Sequence, residues 1–136
     1  MMGGMSLAKS YAAIVGVVLV VVGLLGFISN PIVGEPTLTS TPLFVTGTMH
    51  NLVHLLTGAL ALYIALMLKG DMQNLALIGF GVLYIVILVL TLVSNNLFGI
   101  LSYNVNLLDH LLHAALGAVS IGVGYMARGT TSMTMR

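Results

Sequence analysis

All four histidines of the chain fall in two short motifs. His50 and His54 are four residues apart and His110 and His113 three apart, so on a helix each pair shares one face. Asn51 and Asp109 stand beside them, and Gly58 and Gly117 follow His54 and His113 one turn further along that face. Neutral imidazole is a common ligand of metal ions and of haem iron. His54 and His113 are therefore candidate ligands of one haem or chlorophyll-type ring, with Gly58 and Gly117 leaving room for its plane. His50, His54, Asp109, His110 and His113 form an alternative set of nitrogen and oxygen ligands for a metal ion. A third use is structural: imidazoles bonded to Asn51, to Asp109 or to a facing backbone carbonyl would lock helices together. His50 and His110, nearer the helix starts, are expected at the water interface, and His54 and His113 are expected to matter more. Asp109 also suits the positive end of a helix and would complete a capping box with Asn106.

Little other chemistry is on offer. The chain has no cysteine, which excludes disulfides, thiolate metal sites and thiol catalysis. Nothing resembles a phosphate-binding loop, a nucleophile elbow or a zinc-protease motif, so an enzyme is not expected. Four Lys/Arg and three Asp/Glu among 136 residues make 5% charged residues, against about 25% in ordinary globular domains. So few charges exclude a soluble domain, and 59% hydrophobic residues exclude disorder. With a net charge of +1, no nucleic-acid partner is expected.

Rare charges serve as punctuation. After Lys9 come Glu35, Lys69, Asp71, Asp109, Arg128 and Arg136, and four stretches between them reach the roughly 20 apolar residues of a membrane span. Helices are expected over 8–28, 49–68, 73–93 and 107–128, forming a single transmembrane domain. Asn106 is the expected N-cap of the fourth and Gly129 its stop. The apolar run from Ala12 to Ile28 is long for a signal peptide and lacks a small-x-small cleavage site, so it reads as a retained helix. Lys9, Lys69, Arg128 and Arg136 all fall on one side of such a bundle. The positive-inside rule makes that side, with both termini, cytoplasmic. The short turn at 69–72 predicts a tight hairpin of the second and third helices. Tyr11, Tyr63, Tyr103 and Tyr125 fall where interfacial anchors belong.

The halves resemble each other. Gly16 to Val22 aligns with Gly81 to Ile87 at an offset of 65, and Asn51-x-x-His54-x-x-x-Gly58 aligns with His110-x-x-His113-x-x-x-Gly117 at 59. Two hairpins of the same topology imply a pseudo-two-fold axis along the membrane normal, with equivalent faces of the second and fourth helices meeting at the centre. These motifs resemble those of a family of small four-helix bacterial and cyanobacterial integral membrane proteins of unknown function. That family carries Asn-x-x-His-x-x-x-Gly in its second helix and Asp-Asn-x-x-His-x-x-x-Gly in its fourth. Asn51, His54, Gly58, Asp109, His113 and Gly117 fit it, and His110 stands where Asn is expected. The resemblance covers essentially the whole chain and implies four membrane helices without an assigned activity.

The functional expectation is a non-catalytic accessory subunit of a larger photosynthetic or respiratory membrane assembly, in a bacterial inner or photosynthetic membrane. Its partners would be the lipid bilayer and other membrane subunits. The alternative is a protein binding a tetrapyrrole or a metal through its histidines. A small transporter is disfavoured, because no charge lies in the central part of any helix.

Overall fold

Each of the four apolar stretches forms a helix. The computed structural model of the protein describes residues 6–134. It contains α1 (Leu7–Leu25), α2 (Thr48–Met67), α3 (Gly70–Val93) and α4 (Leu107–Thr134), with two short strands, β1 (Val33–Gly34) and β2 (Phe44–Val45), between α1 and α2. The strands pair in parallel, Val33 opposite Phe44 and Gly34 opposite Val45. Arg136 lies outside the described residues.

All four helices are long and apolar enough to cross a membrane. Their outward side chains, Val17, Val21, Leu56, Val86 and Val89 among them, are exposed aliphatics, whereas Asn51, His54, Gln73, Asn74, Thr91, Asp109 and Ser120 are buried. Apolar groups outside and polar groups inside suit lipid as the surrounding solvent. The chain is mostly helical, and its four long apolar helices suit an integral membrane protein.

The helix ends depart from the sequence reading for local reasons. α1 stops at Leu25 rather than Ile28, because the Asn30 amide turns the chain. Its Nδ2 donates to the carbonyls of Leu25, Ile28 and Val33, and its Oδ1 accepts from the N–H groups of Ile32 and Val33. Asn106 caps α4 as expected, its Oδ1 accepting from the Asp109 N–H at 3.0 Å. The carboxylate of Asp109 does not return the bond, so the capping box is half formed. Gly129 does not stop α4, which continues to Thr134: this glycine lacks the positive φ of a helix-ending residue.

The expected tight pairing of the second and third helices does not occur. Only Leu68 and Lys69 separate α2 from α3, and Gly70 turns the chain at φ 60°. Yet α1 packs chiefly on α2, and α3 on α4. Glycines decide this. A Cβ on Gly58 would stand 2.8 Å from the Val20 backbone nitrogen and 3.0 Å from the Gly16 oxygen. One on Gly81 would stand 2.6 Å from the Gly117 oxygen and 2.8 Å from the Ile121 nitrogen. Backbones this close maximise dispersion contacts, the main attraction between helices in lipid.

α2 meets α3 through Gln73 instead. Its Nε2 donates to the carbonyls of Ile64, Ala65 and Leu68, orphans at the end of α2, and its Oε1 accepts from the Ser6 hydroxyl at 3.2 Å. Ser6 in turn caps α1 by accepting from the Lys9 N–H. Arg128 reaches Asp71 at 3.0 Å, so Lys9, Lys69 and Arg128 gather at one end of the bundle. The histidines occupy the other. Tyr11, expected to anchor at the interface, instead bonds Ser120 at 2.8 Å and ties α1 to α4.

Gly81→Ala is expected to lower stability in detergent by about 1–3 kcal/mol, the usual cost of overpacking. Gly122→Ala, where a Cβ meets open space, should be neutral or stabilising. Thermal unfolding midpoints of the two variants check the contrast.

Candidate metal centre

One face of α2 carries the polar groups. His50, Asn51, His54, Thr57 and Gly58 are all buried, which the three-to-four-residue spacing requires once that face turns inward. α4 turns Asp109, His113 and Ser120 inward, and α3 contributes Tyr84 and Thr91. The ring centroids of His50 and His54 are 4.5 Å apart, those of His50 and His113 6.1 Å. The tops of α2 and α4 thus meet through imidazoles, while their glycines face elsewhere.

One ligand atom from each of His50, His54 and His113 lies within 4.8 Å of the other two. Three nitrogens held at about 2.0–2.1 Å from one ion sit about 3.3–3.6 Å apart, so side-chain shifts of about 1 Å close the set. Among the described residues, His50 Nδ1, His113 Nδ1 and both nitrogens of His54 have no hydrogen-bond partner. Buried polar atoms are nearly always satisfied, so four nitrogens without a protein partner in one place suit a bound ion or water. The three rings line a cavity of about 20 Å³ together with Val53, Tyr84, Ile87 and Thr91. That volume holds one ion or one water.

The expected candidates sort as follows. His50, assigned to the water interface, is buried within the cluster. His110, its expected counterpart, stands apart: its Nε2 lies 3.2 Å from Asn95 Oδ1 and its Nδ1 3.4 Å from Thr91 Oγ1. Asp109 is fully buried and neither of its oxygens has a partner among the described residues, but it is not among those whose ligand atoms converge. Asn51 Oδ1 has no partner either, so neither residue makes the structural bond to His54 or His113 that the sequence suggested.

A tetrapyrrole does not fit this site. Gly58 and Gly117, expected to admit a ring, are filled by α1 and α3: a Cβ there would meet Val20 and Ile85. A cleft of about 840 Å³ beside the 29–42 connection is large enough, but its lining contains none of the histidines.

Sequence reasoning missed Tyr84 and Thr57. Their hydroxyls are 2.7 Å apart, and the Tyr84 ring lies 5.8 Å from His113, filling the floor of the site. A lone Tyr within the apolar run of α3 was the available signal.

Four spans with a buried histidine cluster at one end define a small integral membrane protein with a candidate metal centre. Residues 9–126 match a family described as a domain of unknown function (DUF4383), and the chain belongs to that family. Neither a curated protein nor a solved structure matches the chain.

Removing an unsatisfied buried polar group in favour of an apolar one of similar size is neutral or stabilising. His54→Leu should therefore leave the metal-free protein as stable, or up to about 2 kcal/mol more so. A clear fall in its unfolding midpoint would mean that His54 is held by structural bonds.

Proposed function

We propose that this chain is a membrane-embedded metal-binding protein that holds one transition-metal ion through His50, His54 and His113. The observation that carries the reading is the convergence of three buried imidazoles, with unpartnered nitrogens, on a cavity of single-ion size. Three neutral nitrogen ligands suit Zn, Cu, Fe or Ni and leave a coordination position for water or a further group. The cavity has no room for an organic substrate, which favours holding or passing the ion over catalysis. In a larger assembly the chain would be a metal-carrying accessory subunit.

The two hairpins are read here as same-topology repeats around a pseudo-two-fold axis. The contacts of Gly58 with Val20 and the Gly16 oxygen recur, at the offsets 59 and 65 seen in the sequence, as those of Gly117 with Ile85 and the Gly81 oxygen. The Gly16–Leu62 contact likewise recurs as Gly81–Ile121. Lys9, Lys69 and Arg128, gathered at one end, support a cytoplasmic placement of that end, with which the histidines would lie near the outer surface.

Stripped protein in detergent should take up one equivalent of Zn²⁺ or Co²⁺. Alanine at His50, His54 or His113 should weaken that binding at least about tenfold, a loss of about 1.4 kcal/mol or more, and alanine at His110 should not. Absence of binding, or a triple variant that binds as wild type does, would overturn the reading. Sidedness is checked separately. Because the chain has no native cysteine, a Thr39→Cys variant should react with an impermeant thiol reagent only from outside the cell.

A further inference from the structure

We propose that the connection from Asn95 to Val105 is a lid over the three-histidine cavity, latched by His110, and that the metal ion passes beneath it. The inference rests on the metal-binding reading and adds the route to the site and the residue that controls it.

The cavity wall has two kinds of side chain. Val53, Tyr84, Ile87, Thr91 and the histidines come from helices, whose far faces lie in lipid. Leu97, Leu101 and Val105 come from the connection between α3 and α4. Leu101 and Val105 are only 4% exposed, unusual for a connecting segment, and together with Leu97 they close the cavity on the side away from the bilayer core. A hydrated ion arriving from water would meet this apolar cover first.

The cover is built to move. Its backbone belongs to no helix or strand and is held by short local bonds: Leu97 N–H to the Ser94 carbonyl, Phe98 N–H to the Ser94 hydroxyl and Leu101 N–H to the Asn96 carbonyl. These bonds, with those of Gly99 and Ile100 N–H, tie the connection to itself and to Ser94 rather than to the other helices, so it can move as one piece. Leu97 and Phe98 both sit in the left-handed region, at φ 50° and 59°, followed by Gly99 at 93°. Two consecutive non-glycine residues there are strained, and such strain gathers at switch segments. Opening the apex relieves it.

The ends of the cover are fixed. The Val105 N–H donates to the Asn95 carbonyl at 2.8 Å, and Asn106 Nδ2 donates to the Leu43 carbonyl. His110 links the start of the cover to the body of the bundle. Nε2–H donates to Asn95 Oδ1 at 3.2 Å, and Nδ1 lies 3.4 Å from the Thr91 hydroxyl, on the last turns of α3, which itself donates to the Leu88 carbonyl. This explains a histidine that neither converges with the other three nor faces water freely. It is a positioning residue for the lid, not a ligand.

The test has two independent readouts. In the first, a His54→Cys variant places one thiol at the buried centre of a chain without native cysteine, and a water-soluble maleimide reports cavity opening with no metal present. Adding His110→Ala should raise the labelling rate at least tenfold, and Asn95→Ala, which cuts the same bond from the exposed side, should do likewise. In the second readout, His110→Ala alone should speed both Zn²⁺ uptake and release by a similar factor, leaving the equilibrium affinity unchanged. Unchanged labelling with both substitutions would overturn the lid. Weakened Zn²⁺ affinity without faster uptake would also overturn it, by making His110 a ligand. Faster labelling in a protein whose wild type binds no Zn²⁺ would uphold the lid and sink only the metal-binding reading.

Discussion

A bilayer offers no water to a polar group, so every buried donor and acceptor in this bundle depends on a partner inside the protein. Most have one. Gln73 satisfies the carbonyls that end α2, Tyr84 and Thr57 satisfy each other, Tyr11 meets Ser120, and the Asn30 amide is saturated by the turn it makes. Against that background the unpartnered atoms stand out because they gather at one end: His50, His54, His113, Asp109, Asn51 and Thr46. Three of these residues are imidazoles that converge beside one cavity, and on that convergence the metal proposal rests. The metal reading follows from this contrast more than from the presence of histidine.

The glycine seams create the space. α1 and α2 close on each other at Gly16 and Gly58, and α3 and α4 at Gly81 and Gly117, so each hairpin is a tight pair with these four glycines turned inward. The two pairs meet each other more loosely. Between pairs the contact is made by large and polar side chains, and at the histidine end these do not fill the volume. The same seams fix the rotation of α2 and α4 about their axes. With Gly58 turned toward α1, His50 and His54 face the gap between hairpins. With Gly117 turned toward α3, His113 faces the same gap.

Four helices, their rough limits and the polar end of the bundle were legible in the sequence, because charges are so rare that apolar runs between them have clear edges. Pairing was less so. The short 69–72 turn argued for α2 against α3, and only the close backbone approach at the glycines shows why each prefers its other neighbour. Within the site, the histidines were visible and their division was not. Spacing alone set His50 with His110 as an outer pair. What separates them is non-local: α2 is rotated by its seam with α1, whereas His110 is drawn aside by Thr91 and Asn95, which no spacing ties to it. Gln73 carried a readable signal, an amide in the first turn after a tight connection, placed to reach back to the carbonyls of the preceding helix.

The central claim is that three imidazoles hold one ion. X-ray absorption at the zinc edge, on protein loaded with a single equivalent, counts the ligands directly. Three imidazole nitrogens at about 2.0–2.1 Å with one further light atom are expected. A spectrum of zinc surrounded by oxygen alone, or one unchanged when His54 is replaced, would contradict it.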